Sequence, residues 1–147
     1  IFGESDNFNL EDGHVVPSLI HKCYVAKKNK TPLQVWGDGS AYREFLYAED
    51  VATVCLELIN SEQNLPQKLI VSGKEEIQIK DLVGMVCDAF DYHKVEWLTD
   101  KPNGQLRRPT SKRVFNNMLP NFTHTDLRQA IAQTANWFEE NYPQVRL

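Results

Sequence analysis

No apolar run in this chain approaches the roughly 20 residues that a helix needs to cross a bilayer, and no stretch has the basic-then-apolar pattern of a secretory signal. No membrane partner is expected. Basic residues do not dominate either: 16 Lys and Arg stand against 20 Asp and Glu, a formal net charge of −4. Nucleic-acid binders are usually basic, so a nucleic-acid partner is not expected. A small phosphate-bearing ligand stays open, because a few local cations suffice for it. Cysteine is scarce. Cys23, Cys55 and Cys87 form no C-x-x-C pair and do not cluster with histidine at ligand spacing, so no metal site is expected. Each falls in an apolar helical stripe, where a buried free thiol acts as a small hydrophobe, and a reducing, cytoplasmic setting is the natural reading. Also missing is a complete dinucleotide fingerprint. Gly37 and Gly39 are two apart, but Tyr42 stands where the third glycine belongs, and a strand follows rather than a helix.

What is present fits one compact unit. A length of 147 residues, 41% hydrophobic and 24% charged, suits a single domain with a real core. The chain opens on Ile1-Phe2-Gly3, which reads as the tail of a strand, so we expect a piece of a longer protein. Residues 4–14 are polar and rich in turn formers, hence a loop. Pro17 suits the first turn of a helix, with Val16, Leu19, Ile20 and Cys23 at helical spacing and Lys27, Lys28 and Lys30 at its end. Strands are expected at Leu33–Trp36 and Arg43–Tyr47, separated by the turn Gly37-Asp38-Gly39-Ser40. A helix from about Glu49 to Ile59 places Val51, Val54, Cys55, Leu58 and Ile59 on one face. Lys68–Ser72, Ile77–Ile79 and Val95–Leu98 read as strands, and Ile79, Leu82, Val83, Val86 and Phe90 mark another amphipathic helix. A last helix runs from Asp126 to Asn141, with Leu127, Ala130, Ile131, Thr134 and Phe138 inward and Thr123-x-x-Asp126 as a capping box. The fold class is α/β, short strands packed with amphipathic helices.

Three clusters carry chemistry, each with a plainer reading beside it. His14 stands where the polar loop meets the first helix; such a residue is most often a cap or surface group, yet histidine is also the side chain that titrates nearest neutral pH. Val35-Trp36-Gly37-Asp38-Gly39, with Arg43 beyond, is either a hairpin-like turn or a turn presenting Trp36 for stacking and Arg43 for a phosphate. Asn103-Gly104-Gln105-Leu106-Arg107-Arg108, followed by Lys112 and Arg113, is either a solvated face or a loop that focuses a diphosphate. Tyr24 and Lys28 match the Tyr-x-x-x-Lys spacing of short-chain dehydrogenases, but no Gly-rich nucleotide loop precedes them. They read as helix surface.

The stretch from Val35 through Arg43-Glu44-Phe45-Leu46-Tyr47-Ala48-Glu49-Asp50-Val51-Ala52 resembles the C-terminal signature of extended short-chain dehydrogenases that act on nucleotide sugars. Within that superfamily, Phe2-Gly3-Glu4-Ser5-Asp6-Asn7-Phe8-Asn9-Leu10-Glu11-Asp12-Gly13-His14 to Pro17 resembles the GDP-L-fucose synthases, the GDP-4-keto-6-deoxy-D-mannose 3,5-epimerase-4-reductases. The likeness continues through Lys101–Arg108 to Trp137-Phe138-x-x-Asn141-Tyr142 and covers essentially the whole chain.

The resemblance implies a small C-terminal substrate domain spanning 1–147, with the NADP-binding Rossmann domain absent from this chain and the isolated piece inactive. It implies that His14 matches the family's catalytic histidine, paired with a cysteine upstream of Ile1, and that this histidine also touches NADP. Lys22, Trp36 and Arg43 match residues that hold the GDP-sugar, and Arg108 matches a basic residue of the late loop. Asn103 occupies a position where the family commonly has aspartate; an amide still hydrogen-bonds but cannot pair with a cation. Glu4-Ser5 also departs from the proline-and-histidine pair frequent there. The implied substrate is GDP-4-keto-6-deoxy-D-mannose, the product GDP-L-fucose, and the full-length enzyme a cytoplasmic homodimer. Two alternatives remain open: the substrate domain of another nucleotide-sugar epimerase or dehydratase, and a stand-alone, non-catalytic nucleotide-sugar-binding module.

Overall fold

A computed structural model describes residues 1–62 and 64–147. In chain order it contains α1 (Val15–Asn29), β1 (Leu33–Trp36), β2 (Tyr42–Glu44), α2 (Ala48–Ile59), β3 (Glu76–Gln78), α3 (Ile79–Phe90), β4 (Val95–Leu98), α4 (Arg113–Met118) and α5 (Leu127–Asn141). β1 lies parallel to β4, with Leu33 opposite Val95 and Trp36 opposite Leu98. β2 lies antiparallel to β3, with Arg43 opposite Ile77. The α/β class expected from the pattern is therefore the observed one.

Helices α1, α3 and α5 supply most of the core. The helical spacing of Val16, Leu19, Ile20 and Cys23 turns them all inward, as it does Leu82, Val83, Val86 and Phe90 of α3 and Ala130, Ile131, Thr134 and Phe138 of α5. Leu33 and Val35 add the buried face of β1 to this core. Cys23 and Cys87 are buried together between α1 and α3, and the hydrogen bond that the Cys23 thiol donates to Cys87, reinforced by burial, holds its proton and pushes its pKa far up. It stays a thiol.

Several expectations need correction. Tyr24 is buried rather than superficial: its ring meets Phe138 edge-on at 5.4 Å and Tyr142 at 5.0 Å, while the exposed Lys28 ammonium sits 4.5 Å from the ring centroid. Cys55 is exposed, not buried. It lies on α2, whose expected inner stripe buries only Val54; Leu56 and Ile59 are 61% and 75% exposed. What docks α2 is polar. The buried Asp50 carboxylate accepts from Thr125 N–H at 3.1 Å and from Thr125 Oγ1 at 2.6 Å.

Residues 68–72 form no strand. The second strand is shorter than expected, and Ile79 opens a helix rather than closing β3. Residues 37–40 do not close a hairpin, because β1 and β2 belong to different sheets. At α5 the cap is Asp126 itself, accepting from Gln129 N–H at 3.0 Å, so Thr123 plays no part in a capping box there. The short helix α4 was not foreseen; Phe115 anchors it against Phe122 and His124.

Candidate functional site

The polar loop ahead of α1 is held at both of its edges. Phe8 is fully buried, its N–H donates to Arg146 O at 2.8 Å, and its carbonyl accepts from Nδ1 of the buried His21 at 2.8 Å. A carbonyl can only accept, so this contact fixes His21 as the Nδ1–H tautomer or as the cation. Asn9 then folds the loop on itself, its side-chain oxygen accepting from Glu11 N–H at 2.7 Å and Asp12 N–H at 3.2 Å. Gly13 crosses so close that a Cβ there would collide with the carbonyls of Asn9 and Asn7. The next residue, His14, occupies the N-cap position of α1 without any side-chain cap hydrogen bond. Its exposed imidazole is left to solvent and ligand.

A second wall comes from β1. Strand alternation buries Leu33 and Val35 and turns Gln34 and Trp36 outward, the indole 62% exposed. The turn after it needs Gly37 at φ 79°, and Asn103 fills the space a Cβ would take. Asn103 Oδ1 accepts from Asp38 N–H at 2.7 Å. Asp38 in turn accepts from Ser40 N–H at 2.9 Å; the Ser40 side chain and backbone together hold its carboxyl below the usual range.

The cationic loop does not act as one patch. Arg107 forks onto Glu76, at 2.7 Å through Nε and 2.5 Å through Nη2, which keeps the Glu76 carboxyl below its ordinary value. Lys112 meets Glu44 at 3.3 Å and donates to Lys74 O at 2.8 Å. Among the described residues Lys22, Arg43 and Arg108 have no carboxylate partner. Arg43 donates through Nη1 to the Tyr42 carbonyl at 2.6 Å, and the loop itself is tied down by Tyr42 N–H to Leu106 O at 2.8 Å.

These walls enclose a cavity of about 690 Å³, within the ordinary range for a small-molecule site. His14, Lys22, Trp36, Arg43, Asn103 and Arg108 all line it. Sequence reasoning missed Gln34 and Glu44, which line it as well. The period-2 rule applied to Trp36 identifies Gln34; Glu44 carries no comparable signal. A second cleft of about 500 Å³ shares His14 with the first and is bordered by Glu4, Asp6 and Glu49. No group of three or more metal-ligating side chains occurs among the described residues. No helix among them is long and apolar enough to cross a membrane.

Residues 1–72 match the NAD dependent epimerase/dehydratase family. The chain is 36% identical to a GDP-L-fucose synthase of Dictyostelium discoideum over 99% of its own length and 46% of the relative's. It is 31% identical to a GDP-L-colitose synthase of Yersinia pseudotuberculosis, over 94% of this chain and 45% of that one. A GDP-L-fucose synthetase of Naegleria fowleri, also solved bound to NADP, superposes with a TM-score of 0.89 at 39% identity, covering 99% of this chain. The chain spans about half the length of the curated relatives it matches. The resemblance to GDP-L-fucose synthases read from the Phe2–Pro17 stretch is thus borne out by relatives of that name.

Proposed function

This chain is a relative of the GDP-L-fucose synthases, and we propose that residues 1–147 are the substrate-binding part of such an enzyme, acting on GDP-4-keto-6-deoxy-D-mannose. One observation carries the reading: the exposed indole of Trp36, three cations without a carboxylate partner among the described residues, and His14 all border one cavity. A flat apolar ring receives a nucleobase, and guanidinium groups suit a diphosphate. Lys22, Arg43 and Arg108 supply the charge for two phosphates. Grip on the nucleotide, remote from the reacting ring, fixes the sugar in place.

His14 is the group able to move a proton. The 4-keto group of the sugar acidifies the hydrogens on C3 and C5; a base removes one, and an acid returns a proton on the opposite face. We assign the proton-returning role to the His14 imidazole, which makes no capping bond that would restrain it. The matching base, by the family resemblance, is a cysteine outside these residues. NADPH, when bound, supplies hydride for reduction at C4. This chain offers that cofactor only an edge, at His14, because the adjoining cleft is bordered by Glu4, Asp6 and Glu49 and does not suit its phosphates. Isolated residues 1–147 are therefore expected to be inactive. A cytoplasmic homodimer is the expected state of the full-length enzyme, a reading supported by family likeness.

Calorimetry of the full-length protein with GDP, UDP and dTDP tests the assignment, with NADPH oxidation on GDP-4-keto-6-deoxymannose beside it. We expect GDP to be preferred, and W36A or R43A to weaken GDP binding by about tenfold or more, the loss expected for one good stacking or charge-assisted contact. A protein that processes only UDP- or dTDP-sugars sinks the proposal. The GDP-L-colitose synthase relative favours one alternative, a neighbouring GDP-sugar reaction; turnover of a different GDP-keto-sugar in preference identifies it. GDP binding without any NADPH oxidation would favour the non-catalytic module.

A further inference from the structure

We propose that Asn103 is a positioning residue rather than a direct ligand contact: its side-chain oxygen clasps the Gly37–Ser40 turn and so sets the Trp36 indole. The inference rests on the reading of this cavity as a nucleotide site. Asp38 N–H donates to Asn103 Oδ1 at 2.7 Å. The ends of the turn have their own ties, Gly37 N–H to Leu98 O at 2.9 Å and Lys80 N–H to Gly39 O at 3.0 Å. The Asp38 N–H at its centre has Asn103.

The packing is as specific as the hydrogen bond. Asn103 occupies the volume that a side chain at Gly37 would take, so the clasp and the positive φ of Gly37 are two sides of one fit. Asp38 and Asn103 are 65 positions apart, which means the clasp joins the late loop to the turn immediately after Trp36. The same loop is fastened again by Leu106 to Tyr42 and by Arg107 to Glu76. It is a strap that contributes Asn103 and Arg108 to the cavity lining, with Arg108 beside the last fastening.

The chemistry makes a sharp demand. The clasp uses an acceptor oxygen, which aspartate also has and alanine or leucine lacks. A ligand contact made through the Asn103 NH₂ is, by contrast, one that aspartate cannot supply. N103A and N103L should therefore raise the dissociation constant for GDP and the KM for the GDP-keto-sugar about fivefold to tenfold with little change in kcat, and N103D should restore both to within about twofold, since one hydrogen bond is at stake.

Amide hydrogen exchange at Asp38 reads the clasp without any ligand: slow in the unaltered full-length protein and in N103D, about tenfold faster in N103A. If N103D binds GDP as weakly as N103A, or if Asp38 exchanges equally in all of them, the proposal is overturned. Should the unaltered protein fail to bind GDP, the functional reading falls while the exchange measurement still decides the clasp.

Discussion

At the scale of single residues, the six side chains expected to form a site do meet at one cavity, yet their working parts differ from what spacing implied. Motif letters single out Trp36, Arg43 and His14 as candidates; they carry no sign that Arg107 is held by Glu76 and Lys112 by Glu44. Those pairings join residues 31 and 68 positions apart, and no local pattern carries them. Cys55 shows the converse error. Its place in an apolar stripe predicts burial, but of that stripe only Val54 is buried and Cys55 lies on the exposed side. A thiol reagent applied to the folded chain should thus modify Cys55 rapidly, and Cys23 and Cys87 only once denaturant opens the core. Fast reaction of all three would contradict the packing of α1 on α3.

At the scale of elements, helices were the most legible parts because a 3.6-residue stripe is a strong signal. α1, α3 and α5 appear with their expected inner faces. α4 leaves no mark in the sequence pattern because six residues are too few to show a period, and it is held by a single buried ring, Phe115. α2 has the expected position, but its apolar stripe buries only Val54, and a buried carboxylate adds to its attachment. Asp50 is buried and accepts bonds from both the backbone and the hydroxyl of Thr125, just before the cap of α5. Removing it leaves those donors unmatched. D50A should cost about 2–3 kcal/mol in denaturant unfolding, in line with charge-assisted hydrogen bonds. L56A on the bare face should cost less than about 0.5 kcal/mol. Equal losses would show that α2 is held by packing after all.

At the scale of the whole molecule, the cavity is built by contacts that join distant parts of the chain. β1 finds β4 about sixty residues later, and the strap reaches both the Trp36 turn and β3. Glu76 is the strap's ionic fastening. Its carboxyl lies below the ordinary 4.5, held there by the Arg107 guanidinium. A depressed carboxylate contributes stability that is present above its unfolded value and lost as pH falls through the folded one. Acidification from about pH 5 to pH 3 should therefore lower the melting temperature more in the unaltered protein than in E76Q; parallel curves would mean that the pair contributes nothing.

The parallel pairing of β1 with β4 also decides how portable the tryptophan motif is. Its letters run without interruption from Val35 to Arg43, but the geometry they display is borrowed from Leu98 and Asn103, far down the chain. A synthetic peptide of that segment, or its transplant into another scaffold, would carry the spelling and leave the shape behind.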